Sequence, residues 1–139
     1  MFKRLDHIAI AVHNTDKALT FYRDVLGLTV VFSEQLSDNP VRLTHLDMGN
    51  THLQLVEPLT DDHPLQEWLD QHGEGLHHFC FYVDSVKGTL QQLPSHGMHA
   101  QDSEPRSGPN GRQAAFISQS DTHGVLIEIT SEPQKDATQ

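Results

Sequence analysis

Sulfur chemistry is nearly absent from this chain: its 139 residues hold one cysteine, Cys80. An internal disulfide framework is excluded, and the composition fits a reducing, cytoplasmic setting. Positive charge is also scarce. Nine lysines and arginines stand against 19 acids, a formal net charge of −10. That balance argues against nucleic acid or an anionic membrane as a partner. An anionic substrate must therefore be held by local positive charge or by a metal. No apolar run reaches membrane-spanning length, and the opening Met1-Phe2-Lys3-Arg4-Leu5-Asp6 lacks the apolar core of a secretory signal. What is present suffices for one domain with a real core, at 36% hydrophobic residues. Histidine is in excess, with eleven copies, which makes a metal worth testing.

One strand pattern occurs twice. Leu76-His77-His78-Phe79-Cys80-Phe81-Tyr82-Val83 alternates at period 2, as does Leu5-Asp6-His7-Ile8-Ala9-Ile10-Ala11-Val12. Aligned, His7 falls on His78 and Val12 on Val83. The pattern assigns Ile8, Ile10 and Val12, and Phe79, Phe81 and Val83, to the core face. His7, Ala9 and Ala11, with His78, Cys80 and Tyr82, take the other face, which is left free to line a cavity.

The elements follow in the same order in both halves. After the first strand, Asn14 is an N-cap for a helix over 17–26 with an apolar stripe of Ala18, Phe21, Tyr22 and Val25, stopped by Gly27. A strand covers 28–32, a loop 33–40, and a hairpin 41–48 and 51–56 around Gly49-Asn50. A linker over 57–64 and a short helix over 65–71 lead to Gly73-Glu74-Gly75. The second half repeats the plan: the histidine strand, a helix from Asp84 or Ser85 to about Leu93, a weak strand over 98–101, a loop over 103–112, and strands over 113–118 and 125–130. This is an α+β chain of two βαβββ modules, about 1–70 and 71–130, in a single domain. A polar, aperiodic tail, 131–139, is expected to fray.

Equivalent places in the two modules carry four polar side chains: His7, Gln54, His78 and Glu128. Leu53-Gln54-Leu55 matches Ile127-Glu128-Ile129. A lone histidine in a strand is more often packed than liganded, and a lone Glu128 reads equally as a solvated acid. Polar breaks at matching phases in two strand pairs favour a metal site, with imidazole, carboxylate and amide donors suited to zinc, cobalt, nickel or manganese. Four protein ligands leave a coordination place open for a substrate. The pleat points His77 away from His78, which gives it a place behind the ligands or on the substrate side. His13, His63, His72, His96, His99 and His123 read as surface residues. Phe21, Tyr22 and Trp68 read as core. The loop from Arg106 to Arg112 reads either as an anion clasp with two arginines or as an ordinary solvated loop. Cys80 has no basic partner in sequence and is not read as a nucleophile.

These segments, with Met48-Gly49-Asn50-Thr51-His52-Leu53-Gln54-Leu55-Val56-Glu57-Pro58, Gly73-Glu74-Gly75-Leu76-His77-His78 and Gly124-Val125-Leu126-Ile127-Glu128, resemble the vicinal oxygen chelate (glyoxalase/bleomycin resistance/dioxygenase) superfamily. The resemblance runs in order from residue 5 to about 130 and is greatest to its methylmalonyl-CoA epimerase branch. It implies paired βαβββ modules in a curved mixed sheet around a metal, with His7, Gln54, His78 and Glu128 as ligands and Glu128 also as base. It implies epimerisation of a methylmalonyl-CoA-like thioester by alpha-proton abstraction through a metal-stabilised enolate, in a homodimer. The alternatives are a lactoylglutathione lyase acting on a glutathione hemithioacetal, and a binding or resistance protein. One departure stands out: by alignment, Leu43 takes the place where some epimerases carry a second glutamate. His45 and Asp47 share its face and are the candidates to substitute for it, though neither sits in register.

Overall fold

The computed structural model describes residues 1–133. The chain forms two compact units, His7–His77 and Met1–Asp6 together with the chain from His78 onward. The expected boundary near residue 70 thus moves to 77/78, and the first six residues join the second unit. Side chains explain this. Phe2 stacks on Phe81 with ring centroids 5.1 Å apart, Lys3 N donates to the Tyr82 carbonyl, and the Arg4 guanidinium lies 3.9 Å from the Tyr82 ring centroid.

The first module contains β1 (Arg4–Ala11), α1 (Thr15–Tyr22), β2 (Thr29–Leu36), β3 (Val41–Asp47) and β4 (His52–Pro58), followed by α2 (Pro64–His72). Its strands run in the order β2-β3-β4-β1, with β1 parallel to β4 and the other pairs antiparallel. The second contains β5 (Gly75–Tyr82), α3 (Val86–Gln92), β6 (Arg106–Ser107), β7 (Gln113–Ile117) and β8 (Ile127–Ser131). Its order is β6-β7-β8-β5, with β5 parallel to β8. The two βαβββ modules are as expected, and the repeat extends to register. Ala9, two residues after His7, pairs with Gln54; Cys80, two residues after His78, pairs with Glu128.

Local chemistry sets the element ends. Asn14 caps α1 by accepting from Lys17 N at 2.9 Å, and the Glu57 carboxylate takes both Thr15 N and Thr15 Oγ1 at 2.8 and 2.7 Å. An anion at a helix N-terminus also opposes the helix dipole favourably. The helix closes at Tyr22 instead of running to Leu26, and the chain turns through Gly27 at φ 77°. With only two turns, α1 packs through Thr15 and Leu19, so Phe21 and Val25 of the expected stripe are 49% and 71% exposed. Tyr22 and Trp68 pack at the edges of core clusters, as expected.

Strand β2 reaches into the stretch expected to be loop. Ser33 Oγ lies 2.8 Å from Thr44 Oγ1 and accepts from Arg42 Nε, so polar cross-strand pairs hold what an apolar pattern does not reveal. In the second module the expected strand over 98–101 shrinks to one bridge, Ala100 to Ile117. The Asp102 carboxylate takes Phe116 N and ends that pairing, and the edge strand is Arg106–Ser107. Ser131, assigned to the tail, closes β8 and is buried, accepting from Val86 N. The rest of the expected fraying tail, 134–139, lies outside the described residues.

The core faces also differ from the expected alternation. Ala9, Ala11 and Cys80 are fully buried, whereas Phe79 is 37% exposed. In the first module both sheet faces are covered. Ile8 and Ile10 pack with Leu19, Leu46, Leu53 and Leu55 beneath α1. On the other face, Ala9, Ala11, Val41, Leu43 and Val56 pack with Leu65 and Leu69 of α2. So α2 claims half of the face assigned to the cavity, and polar residues keep the remaining half.

Candidate functional site

In the first module the polar half of that face holds His7 on β1, His45 on β3, and His52 and Gln54 on β4. His45 pairs with Gln54 in the antiparallel ladder, and His7 with His52 in the parallel one. His7, His45 and Gln54 are all buried, at 3%, 2% and 3% exposure. The His45 ring meets the His7 ring edge-on at 5.1 Å and stacks on Phe32 at 4.4 Å. A register shift between Val30 and Phe32 puts Phe32 opposite His45. His45 Nε2 lies 2.8 Å from Gln54 Nε2, and its Nδ1 lies 3.0 Å from His52 Nδ1.

Leu43 is buried two pairs further along, between Val56 of β4 and Glu34 of β2, and packs in the cluster that includes Leu65 and Leu69. It serves the core here. Antiparallel partners project from the same face, so Glu34 brings a carboxylate alongside the place that Leu43 leaves without one. Nothing in the alternation of β2 singled out Glu34; only the register does.

In the second module His78 and Glu128 come together. His78 Nε2 is 3.2 Å from Glu128 Oε1, and both side chains are buried. The other carboxylate oxygen, Oε2, accepts from Arg106 Nη2 at 3.2 Å. Arg106 Nε also binds Asp102 at 3.1 Å, and the guanidinium lies over the Phe116 ring at 4.4 Å. Phe116 in turn stands edge-on to His78 at 5.2 Å. Each of the four groups is thus fixed on two sides. Arg112 is engaged elsewhere, with Asp6 and Glu132, each at 2.9 Å. The loop from Arg106 to Arg112 therefore commits both arginines to carboxylates, against its reading as an anion clasp.

Cys80 is fully buried next to Glu128 in register, and burial followed by the Glu128 charge pushes its thiol well above the ordinary value. It is a packed thiol and no nucleophile. His77 turns away from His78 and meets Trp68 edge-on at 4.9 Å. His63, expected at the surface, is half-buried and caps α2.

Two buried histidines and two buried oxygen-bearing side chains at matching register positions are the signature of a known architecture. The profile of the glyoxalase/bleomycin resistance protein/dioxygenase superfamily matches residues 6–116. The chain belongs to this superfamily and has its vicinal oxygen chelate fold. It is 41% identical to the uncharacterized Bacillus subtilis protein YqjC over 96% of this chain and 94% of that one. It is 34% identical to the mitochondrial methylmalonyl-CoA epimerase of Mus musculus, over 91% of this chain and 71% of that one. A variant of the Streptomyces coelicolor methylmalonyl-CoA epimerase in complex with 2-nitronate-propionyl-CoA superposes with a TM-score of 0.87 at 32% identity, covering 96% of this chain and 100% of that one. Within the superfamily the chain is therefore an isomerase of the epimerase type. No helix among the described residues is long and apolar enough to cross a membrane.

Proposed function

We propose that the chain epimerises a 2-substituted malonyl thioester of coenzyme A, methylmalonyl-CoA being the substrate to test first, with one divalent metal ion held by His7, Gln54, His78 and Glu128. The observation that carries this is the doubled register, in which a histidine two residues before a paired position stands by an oxygen donor in each module. The donor chemistry fits a borderline divalent ion: imidazole Nε2 and carboxylate Oε1 converge within the second module, and both are buried. His7, His78 and Glu128 are residues of the kind that hold such an ion, and the superfamily is in general metal-dependent. Bound there, the ion supplies Lewis-acid charge that makes the carbon alpha to a thioester more acidic.

The chain's own residues supply the rest. Glu128 is the carboxylate that removes the C2 proton, and Arg106 fixes its orientation from the Oε2 side. A proton must return to the opposite face. Leu43 has no group to do this, and we assign that step to Glu34, which shares its face. The buried site keeps water from competing for the carbanion. A homodimer and a cytoplasmic location belong to the same reading. The relatives described above give no support to a glutathione hemithioacetal as substrate.

Deuterium exchange tests the proposal. With the protein loaded separately with zinc, cobalt, nickel or manganese, methylmalonyl-CoA in heavy water should lose its C2 proton by NMR, and Glu128→Gln should abolish the loss from the epimer whose proton Glu128 removes. No washout with metal bound would overturn the substrate and bring the hemithioacetal isomerase forward. Glu34→Gln should slow inversion at least about tenfold while one epimer still exchanges; unchanged inversion would remove Glu34 from the mechanism.

A further inference from the structure

Gln54, His45 and His52 form a continuous hydrogen-bonded line inside the first module, and both of its contacts are nitrogen to nitrogen. Each contact needs one proton between the two atoms. An amide nitrogen only donates, so His45 Nε2 accepts from Gln54. A neutral imidazole accepting at Nε2 carries its proton on Nδ1. His45 then donates to His52 Nδ1, and the His52 proton sits on Nε2. One amide orientation thus sets two tautomers.

The line also has a second sense. With the proton on His45 Nε2, the ring faces the Gln54 oxygen, and the amide nitrogen turns outward. An amide nitrogen has no lone pair for a cation, whereas the oxygen has two. The direction of the line therefore decides whether Gln54 offers a metal donor or a hydrogen-bond donor.

We propose that His45 is the positioning residue for Gln54, holding its amide with Oε1 turned to the site. Phe32, stacked on His45 at 4.4 Å, fixes the ring plane. His52, a ladder neighbour of His7 and Asp47, fixes the tautomer from behind. The proposal rests on the reading of Gln54 as a ligand and deepens it. Histidine suits the task because one ring both accepts and donates along a single line, and burial at 2% exposure keeps water from replacing either partner.

The first experiment needs no metal. Long-range proton–nitrogen correlation on the metal-free protein with labelled histidine rings should show His45 protonated at Nδ1 and His52 at Nε2. The reverse tautomer at His45 overturns the proposal. The second experiment measures zinc affinity by chelator competition. His45→Phe keeps a ring against Phe32 but no acceptor, and should weaken zinc about 10- to 100-fold. His45→Gln offers an amide oxygen in place of Nε2 and should restore affinity to within a few-fold of the original. Wild-type affinity in His45→Phe, or no rescue by His45→Gln, overturns the proposal. A wild-type protein that binds no zinc, cobalt, nickel or manganese overturns the four-ligand site instead, and the tautomers alone then decide the role of His45.

Discussion

Glu128 has each of its oxygens committed, one beside His78 and one to Arg106, and Cys80 is packed next to it in register. This has a consequence for the thiol. Burial and the carboxylate charge together hold Cys80 protonated, since both disfavour the thiolate. A disulfide reagent such as DTNB at pH 8 should leave the folded protein unlabelled and titrate one thiol per chain after unfolding in guanidinium; fast labelling of the native protein would contradict the burial. At this scale the matching, buried places of His7, Gln54, His78 and Glu128 were legible because the repeat puts polar residues at matching phases; their role as ligands is the proposal made above. His45 and Glu34 were not. Their significance comes from partners on neighbouring strands, Gln54 and Phe32 for one and Leu43 for the other, and from a bulge near Val31 that no alternation displays.

Among the elements, α2 carries the most weight, because its Leu65 and Leu69 cover half of a sheet face and leave the other half polar. Its start depends on His63. The Nδ1 atom accepts from Leu65 N at 3.0 Å, and Nε2 meets Asn39 Oδ1 at 2.7 Å. An imidazole accepting at Nδ1 and donating at Nε2 is neutral. Burial lowers the His63 pKa from its ordinary value, with Asp62 opposing. The unfolded chain therefore takes up a proton at higher pH than the folded one. The cap's contribution is whole above about pH 6.5 and is lost as pH falls through the folded value. His63→Asn keeps a capping side chain that does not titrate. The gap in Tm between wild type and this variant should shift in the variant's favour from pH 7.5 to pH 5; a constant gap would show that the cap is insensitive to protonation. Element identities were largely readable from sequence, but lengths were not. Helix α1 stops at Tyr22, where two turns already bury Thr15 and Leu19, and β2 continues through Ser33 on polar pairs.

For the molecule as a whole, charge is the property that reaches furthest. A net charge of −10 would repel the proposed acyl-CoA substrate, whose coenzyme tail carries phosphates. Raising ionic strength from about 10 mM to about 150 mM shortens the screening length from roughly 30 to 8 Å. The KM for an acyl-CoA should then fall several-fold with kcat unchanged. A KM that rises with salt would instead mean that local basic side chains outweigh the global field. The modular plan was visible in the doubled strand pattern. The division of the chain between the modules was not, because a strand reads the same whichever neighbours it packs against. Phe2, Lys3 and Arg4 find theirs on β5.

That division gives the two modules different histories on the ribosome. The unit from His7 to His77 is a continuous stretch, complete as soon as it has emerged. The other cannot finish until synthesis has passed β8, and its first six residues must wait for Phe81 and Tyr82 to appear. Since chains are made from the N-terminus and compact units fold as they become available, the half bearing His7 and Gln54 is built first. The half bearing His78 and Glu128 then closes around an opening segment held in reserve.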